Sequence, residues 1–173
     1  LCSEAGKYYF MEINARLQVE HPVSEMTTGV DIVKRQLEIA AGETLSFNQN
    51  EINMQGSAIE ARVYAEDPVT FQPSPGKLTA LSVPPNAESL RIDHALEVGG
   101  TIPPFYDPLL AKVISYGSDR SQSINQLIDA LNKFHVEGVK TTIPLNLLIL
   151  KNEAFLAGNY DTDFIESLLA GNE

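Results

Sequence analysis

The residues whose types and spacing promise chemistry lie in Glu12-Ile13-Asn14-Ala15-Arg16-Leu17-Gln18-Val19-Glu20. Polar side chains hold every second position, with Ile13, Ala15, Leu17 and Val19 between them. In an extended chain alternate side chains share a face, so the polar set would line one surface together. Glu12 and Asn14 supply hard oxygen donors of the kind that Mg²⁺ or Mn²⁺ takes beside phosphates. Arg16 offers a planar fork for a small oxyanion, and Gln18 both donates and accepts hydrogen bonds. Glu20 would act as a base if burial raised its proton affinity, an effect that a neighbouring cation opposes. A hairpin strand with a mixed-charge outer face has the same alternation, so spacing alone leaves both readings open.

A second two-faced stretch follows at Ser57 to Glu66. Ala58, Glu60, Arg62 and Tyr64 alternate with Ile59, Ala61, Val63 and Ala65. An arginine among small and β-branched residues is unlike a free surface cation. Spacing alone favours a salt bridge from Arg62 to Glu60 or Glu66.

These stretches need elements to hold them. Glu4-Ala5-Gly6-Lys7 has turn composition, so Leu1-Cys2 and a strand over Tyr8-Ile13 read as a hairpin. Val23 to Thr27 reads as a short helical turn. Ile32 to Ala41 has helical spacing, capped by Thr28 or Asp31, ended by Gly42, with Asp31, Lys34, Arg35 and Glu38 on its wet side. The polar run Leu45 to Gln55 is a connector, and a domain boundary fits there. Asp67-Pro68 and Pro73-Ser74-Pro75-Gly76 frame a loop in which Phe71 offers an apolar plug. Short strands are predicted at Lys77-Val83 and Ser89-His94, with turns at Gly99-Gly100 and Pro103-Pro104. Leu109-Tyr116 is apolar enough for a buried strand. Asp119-Arg120-Ser121 opens a long helix with Ile124, Leu127, Ile128, Leu131 and Phe134 on its inner face. Gly138-Val139-Lys140-Thr141-Thr142 is a turn; Pro144 begins a helix to Leu150, Asn152-Ala157 adds a turn, and Asp161-Thr162-Asp163 caps a last helix through Leu169. His94 reads as an ordinary strand-end histidine. The fold class expected is α+β: a mostly antiparallel sheet flanked by helices, preceded by a hairpin from another domain.

The 173 residues suit one domain or one domain plus a strip of another, and 43% of them are apolar. A net charge of -11 argues against a nucleic-acid or anionic-membrane surface. No apolar run is long enough to span a bilayer. Cys2, the single cysteine, excludes an internal disulfide and fits a reducing compartment. The start of the chain has neither an initiator Met nor a signal-peptide layout, and reads as an internal point of a longer protein.

The run Glu12-x-Asn14-x-Arg16-x-Gln18-Val19-Glu20-His21-Pro22, followed by Thr28-Gly29-Val30-Asp31, resembles the end of the ATP-grasp domain of biotin carboxylases, including those of acetyl-CoA, propionyl-CoA, methylcrotonyl-CoA and pyruvate carboxylases. The similarity continues through Ala58 to Pro68, Pro73 to Lys77, Pro103 to Leu109 and Gly138 to Thr141, covering essentially the whole chain. It implies an ATP-grasp strip over residues 1–45 and a biotin carboxylase C-terminal domain over 46–173. It also implies that a second metal-binding Glu, the phosphate-holding lysines and histidines and a glycine-rich lid lie upstream of Leu1.

By this resemblance ATP and bicarbonate give carboxyphosphate, which delivers CO₂ to N1 of biotin on a carrier protein, the first half-reaction of acetyl-CoA carboxylase or a related enzyme. Glu12 and Asn14 would hold Mg²⁺ or Mn²⁺. Arg16, Gln18 and the Val19 main chain would hold bicarbonate, Glu20 would take its proton, and Arg62 would stabilise the biotin enolate. Leu1, Met11, Glu12 and Thr162 are candidates for the nucleotide side. The implied partners are a biotin carboxyl carrier protein or domain, a carboxyltransferase and a second copy of the enzyme, with Arg91 in the dimer region. The implied location is the cytoplasm, or the mitochondrial matrix in a eukaryote. Two alternatives remain: a non-catalytic packing or dimerisation module, and an ATP-grasp ligase with another acceptor, which would not need Arg62.

Overall fold

A computed structural model describes residues 6–171 of the chain. In chain order its elements are α1 (His21–Thr28), α2 (Ile32–Ala40), a 3-10 turn (Gln49–Glu51), β1 (Ser57–Tyr64), β2 (Gly76–Lys77), β3 (Ala80–Ser82), β4 (Leu90–His94), β5 (Thr101–Ile102), β6 (Leu109–Gly117), α3 (Arg120–Lys133), β7 (His135–Glu137), α4 (Ile143–Lys151), α5 (Glu153–Ala157) and α6 (Phe164–Ala170). The apolar run of β6 is central. It pairs antiparallel with β1 on one side and β4 on the other, and two short antiparallel pairs, β2–β5 and β3–β7, complete the sheets.

The main sheet has two chemically different faces, a direct result of the two-residue period. On one face Ala61, Val63, Ile92, Ala111 and Val113 meet Ile124, Leu127, Ala130, Leu131 and Phe134 of α3 in the core. Ser115 also points there, its hydroxyl donating to the Ser123 carbonyl at 2.8 Å. Burying a side chain such as Leu127 contributes about 1.5–3 kcal/mol. The opposite face carries Glu60, Arg62, Arg91, Asp93 and Lys112, with Arg62 opposite Lys112 across one strand pair and Asp93 opposite Lys112 across the other. That charged face receives α1 and the segment before it.

Local chemistry sets the ends of the helices. Asp31 accepts from the Lys34 N–H and Asp119 from the Gln122 N–H, each at 2.8 Å, so both N-termini are capped by side chains. Gly29 closes α1 in the left-handed conformation, φ 72°, with its N–H bonded to the Glu25 carbonyl. Gly138, φ 99°, lets β7 run against the Lys77 backbone where a Cβ would clash.

Several expectations change. The predicted strand over Tyr8-Ile13 is irregular: Tyr8 makes one isolated bridge, and residues 9–15 form no ladder among the described residues. Alternation selects a face, but a strand also needs a neighbour for its backbone groups. Tyr8, Phe10, Met11 and Ile13 are exposed, as are Val33, Leu37 and Ile39 of α2. The Leu1-Cys2 half of the predicted hairpin lies outside the described residues. The Lys77-Val83 strand is split into β2 and β3, which take different partners, β5 and β7; both partners fall in stretches read as turns or passed over. Phe71 is a half-exposed residue at φ 57° rather than a buried plug. Among the described residues no helix is long and apolar enough to cross a membrane.

Candidate functional site

Arg62 and Glu20, 42 residues apart, meet on the charged face: Arg62 Nη2 donates to Glu20 Oε2 at 2.7 Å. The bland pairing predicted from spacing exists as well, since Arg62 Nε reaches Glu60 Oε1 at 3.4 Å. The shorter contact is the long-range one. Lys112 fixes the other side of Glu20 by donating from Nζ to the Val19 carbonyl at 3.0 Å, and it also pairs with Asp93 at 3.4 Å. The turn that carries Val19 and Glu20 is thus bonded to both β1 and β6.

Arg62 is held at its backbone too. Its carbonyl accepts from Asn146 Nδ2 at 3.0 Å and from the Thr142 hydroxyl at 3.2 Å, at the start of α4. The next residue but one, Tyr64, donates its N–H to that same Thr142 hydroxyl. Nearby Arg91 joins α1 to β4: Nη1 donates to Glu25 Oε2 at 2.6 Å, while Nε and Nη2 each reach Asp93 at 2.8 Å. Arg91 is therefore a strut between buried Glu25 and the sheet rather than a free surface arginine.

Electrostatics separate these carboxylates. Burial pushes Glu60 above the usual carboxylate range, against the lowering pull of Lys112 and Arg62 and with a further push from Glu20. Its side chain is 4% exposed, and its second oxygen, Oε2, is buried without a hydrogen-bond partner among the described residues. Asp93 goes the other way: burial would raise it, but hydrogen bonds and charges from Arg91 and Lys112 outweigh burial and hold it below the usual range. Arg62 holds its proton more tightly than usual, chiefly through Tyr64 and against burial, and Arg91 does so chiefly through Asp93.

Arg16, Gln18 and Glu20 line one cavity of about 360 Å³ together with Leu17, His21 and Ser24. In it Arg16 is folded back on its own segment, donating to the Leu17 carbonyl at 3.1 Å and to Asn14 Oδ1 at 3.5 Å. Arg16 is exposed, and these contacts use two of the five donors of its guanidinium. Val19 is half-buried at the edge of this group. Glu12 and Asn14 are exposed neighbours, Asn14 Nδ2 donating to Glu12 Oε1 at 3.3 Å. Among the described residues no group of three or more His, Cys, Asp or Glu side chains could enclose a metal. Two oxygen donors still suit Mg²⁺, which takes one or two protein ligands beside phosphate oxygens and water. Met11 is exposed. Thr162 sits in the exposed turn before α6, bonded to Asp163, and does not line the Arg16–Glu20 cavity. Leu1 lies outside the described residues.

Lys112, Asp93 and Glu25 were missed by the sequence reading. For Lys112 a signal was present, since one lysine interrupts the otherwise apolar run Leu109-Leu110-Ala111-Lys112-Val113-Ile114. A lone cation in a central strand needs a partner on the facing element.

Comparison with known proteins bears on the family and fold of the chain. Residues 60–167 match the model of the biotin carboxylase C-terminal domain, and residues 1–48 match that of the carbamoyl-phosphate synthase L chain ATP binding domain. The chain is 49% identical over 169 residues to biotin carboxylase 2 of Bacillus subtilis, covering 98% of this chain and 38% of that protein. It is 45% identical to a pyruvate carboxylase subunit of Methanothermobacter thermautotrophicus, covering 96% of this chain and 34% of that one. The biotin carboxylase domain dimer of Hydrogenobacter thermophilus 2-oxoglutarate carboxylase, solved with MgADP, ADP and bicarbonate, superposes with a TM-score of 0.93 at 42% identity, covering 97% of this chain and 38% of that one. This chain spans little more than a third of each of these relatives. With an α+β fold, a two-faced antiparallel sheet and matches over nearly its whole length, the chain belongs to the biotin carboxylase family.

Proposed function

We propose that this chain forms one wall of the active site of an ATP-dependent biotin carboxylase, which carboxylates biotin on a carrier protein with bicarbonate. The observation that carries the reading is the Glu20–Arg62 contact. It brings together a guanidinium able to receive negative charge and a carboxylate able to take a proton, the latter lining the same cavity as Arg16 and Gln18.

Each residue then has its own part. Arg16, through donors that Leu17 and Asn14 leave open, and Gln18 bond a small planar anion such as bicarbonate. Glu20 accepts the bicarbonate proton as the anion's oxygen attacks the terminal phosphate of ATP. Glu12 and Asn14 would supply oxygens to Mg²⁺, whose charge would offset that of the nucleotide phosphates. The carboxyphosphate so formed breaks down to CO₂ and phosphate; the phosphate takes the proton from biotin N1, N1 bonds to CO₂, and Arg62 offers its Nη edge to the ureido oxygen, where the charge collects. Because Glu20 already occupies that edge at 2.7 Å, the substrate must compete with or share an existing ion pair. That pairing keeps the guanidinium aimed before substrate arrives. Met11 fits the nucleotide side, as does Leu1; for Thr162 the exposed turn before α6 lends less support.

A boundary between an ATP-grasp strip at 1–45 and a C-terminal domain at 46–173 fits the connector between α2, which ends at Ala40, and the first sheet strand, which begins at Ser57. The parent would work in the cytoplasm, or in a mitochondrial matrix, with a carboxyltransferase and a second copy of itself. Relatives include pyruvate and 2-oxoglutarate carboxylases, so the final acceptor, whether acetyl-CoA for fatty acid synthesis or another, is set outside this chain. A second reading, a packing module without catalysis of its own, draws on the exposed Tyr8, Phe10, Met11 and Ile13.

The test uses the protein extended to the length of its relatives. Arg62→Ala should lower biotin-dependent turnover by about 10²–10³-fold while leaving ATP binding close to wild type. Glu20→Gln should lower bicarbonate-dependent ATP cleavage by about 10²-fold or more, again sparing nucleotide binding. Equal losses of turnover and ATP affinity in Arg62→Ala, or undiminished cleavage in Glu20→Gln, would contradict these roles.

A further inference from the structure

We propose that Glu60 is a positioning residue for Arg62: its buried carboxylate holds the Nε edge of the guanidinium so that the Nη edge faces Glu20 and the substrate. This rests on the reading of Arg62 as the group that receives charge on the substrate. An arginine on a strand is free to sweep through many rotamers, so its aim must come from contacts along its length. At the backbone, Thr142 and Asn146 grip the Arg62 carbonyl. At the tip, Nη2 meets Glu20, which belongs to a turn that has to exchange partners during the reaction. Between these ends stands Glu60, two residues back on the same face of β1, with Oε1 3.4 Å from Nε. Of the two carboxylates that Arg62 touches among the described residues, Glu60 is the buried and fixed one: its side chain is 4% exposed, against 52% for Glu20.

The state of Glu60 sets it apart from an ordinary stabilising ion pair. Its second oxygen is buried and unpartnered among the described residues, so the fold bears a desolvation cost there that a good internal salt bridge would relieve. The charges facing it are Arg62 on its own strand, Lys112 on β6 and Glu20 from the turn before α1. Lys112 is committed elsewhere, to the Val19 carbonyl and Asp93. A buried carboxylate that costs stability and touches a guanidinium of the reaction centre is arranged for aim, and its removal should show in turnover before it shows in folding.

The experiment again uses the extended protein with free biotin. Glu60→Ala should lower biotin-dependent turnover about tenfold, with the KM for ATP and biotin-independent ATP cleavage within about twofold of wild type. Glu60→Gln keeps an acceptor for Nε and should restore turnover to within about threefold, with a Tm at neutral pH no lower than wild type. In an Arg62→Ala background, Glu60→Ala should cost nothing further, because its effect passes through Arg62. Wild-type turnover in Glu60→Ala, a full additional loss in the double variant, or a Glu60→Gln protein that loses stability and both activities together would each overturn the proposal. If the wild-type protein itself shows no biotin dependence, the functional reading fails and this proposal falls with it. Biotin-dependent wild type with unaffected Glu60→Ala removes the positioning role alone.

Discussion

Two segments of this chain alternate polar and apolar residues with equal regularity, and only one of them is a strand. Ser57–Tyr64 is paired along its length with β6, its apolar side sealed by α3 and Val63 wholly buried. Residues 12–20 have no ladder among the described residues, and Ile13 stands in solvent, as do Phe10 and Met11 just before it. The difference lies in what surrounds each, since the period-two code is present in both. A strand is stabilised by cross-strand pairs and by a covered face, both of them non-local. The part of the first segment that is well placed, Leu17 to Glu20, is held by Lys112 and Arg62, which reach it from β6 and β1. The sheet thus organises the site from below, through side chains on its charged face.

That contrast is open to direct attack. The largest effect should come from the sealed side: Leu127→Ala, at a position 1% exposed, should cost about 2–5 kcal/mol in urea unfolding. Phe10→Ala, a larger truncation on the open side, should change stability by no more than about 0.5 kcal/mol in this chain. Similar costs for the two would mean that the 9–15 segment packs in solution. A smaller effect separates two carboxylates of the charged face. Asp93 has a depressed pKa, so its pairing stabilises the fold above the ordinary Asp value of about 3.9 and is lost as pH falls through the folded-state value. Asp93→Asn should therefore cost about 1 kcal/mol at pH 7, allowing for partial exposure, and nothing in strong acid. Glu60 has a raised pKa, and the sign reverses. The native state favours its protonated form, so stability falls as pH rises from the ordinary Glu value, about 4.3, through the raised one. Glu60→Gln should match wild type in stability in acid and equal or exceed it at pH 7. Denaturant unfolding of the three proteins across pH measures both curves, and parallel curves for the two variants would contradict the opposition.

Much of this was legible in the sequence, for reasons that are local. Caps at Asp31 and Asp119, the inner face of α3 and the buried run of β6 depend on short-range periodicity and side-chain chemistry. The split of Lys77-Val83 was not legible, because Leu78 and Thr79 are ordinary strand residues and only the positions of β5 and β7 divide them. The candidate site was legible as residues and not as contacts. Glu20, Arg16, Gln18 and Arg62 could be named from their motif, yet their order in space depends on Lys112, and nothing near Lys112 in sequence points to Val19. Arg91 shows the same limit: an alternating strand makes it look like a surface cation, while Glu25, 66 residues away, makes it a strut.

The most direct measurement is ATP cleavage dependent on bicarbonate and free biotin, made on the protein extended to its relatives' length and on this chain by itself. The extended protein should require bicarbonate and respond to biotin, and this chain alone should be silent, as one wall of a site. No response to biotin in the extended protein, or ATP cleavage by the chain alone, would contradict the assignment of Glu20 and Arg62 to a biotin carboxylation centre.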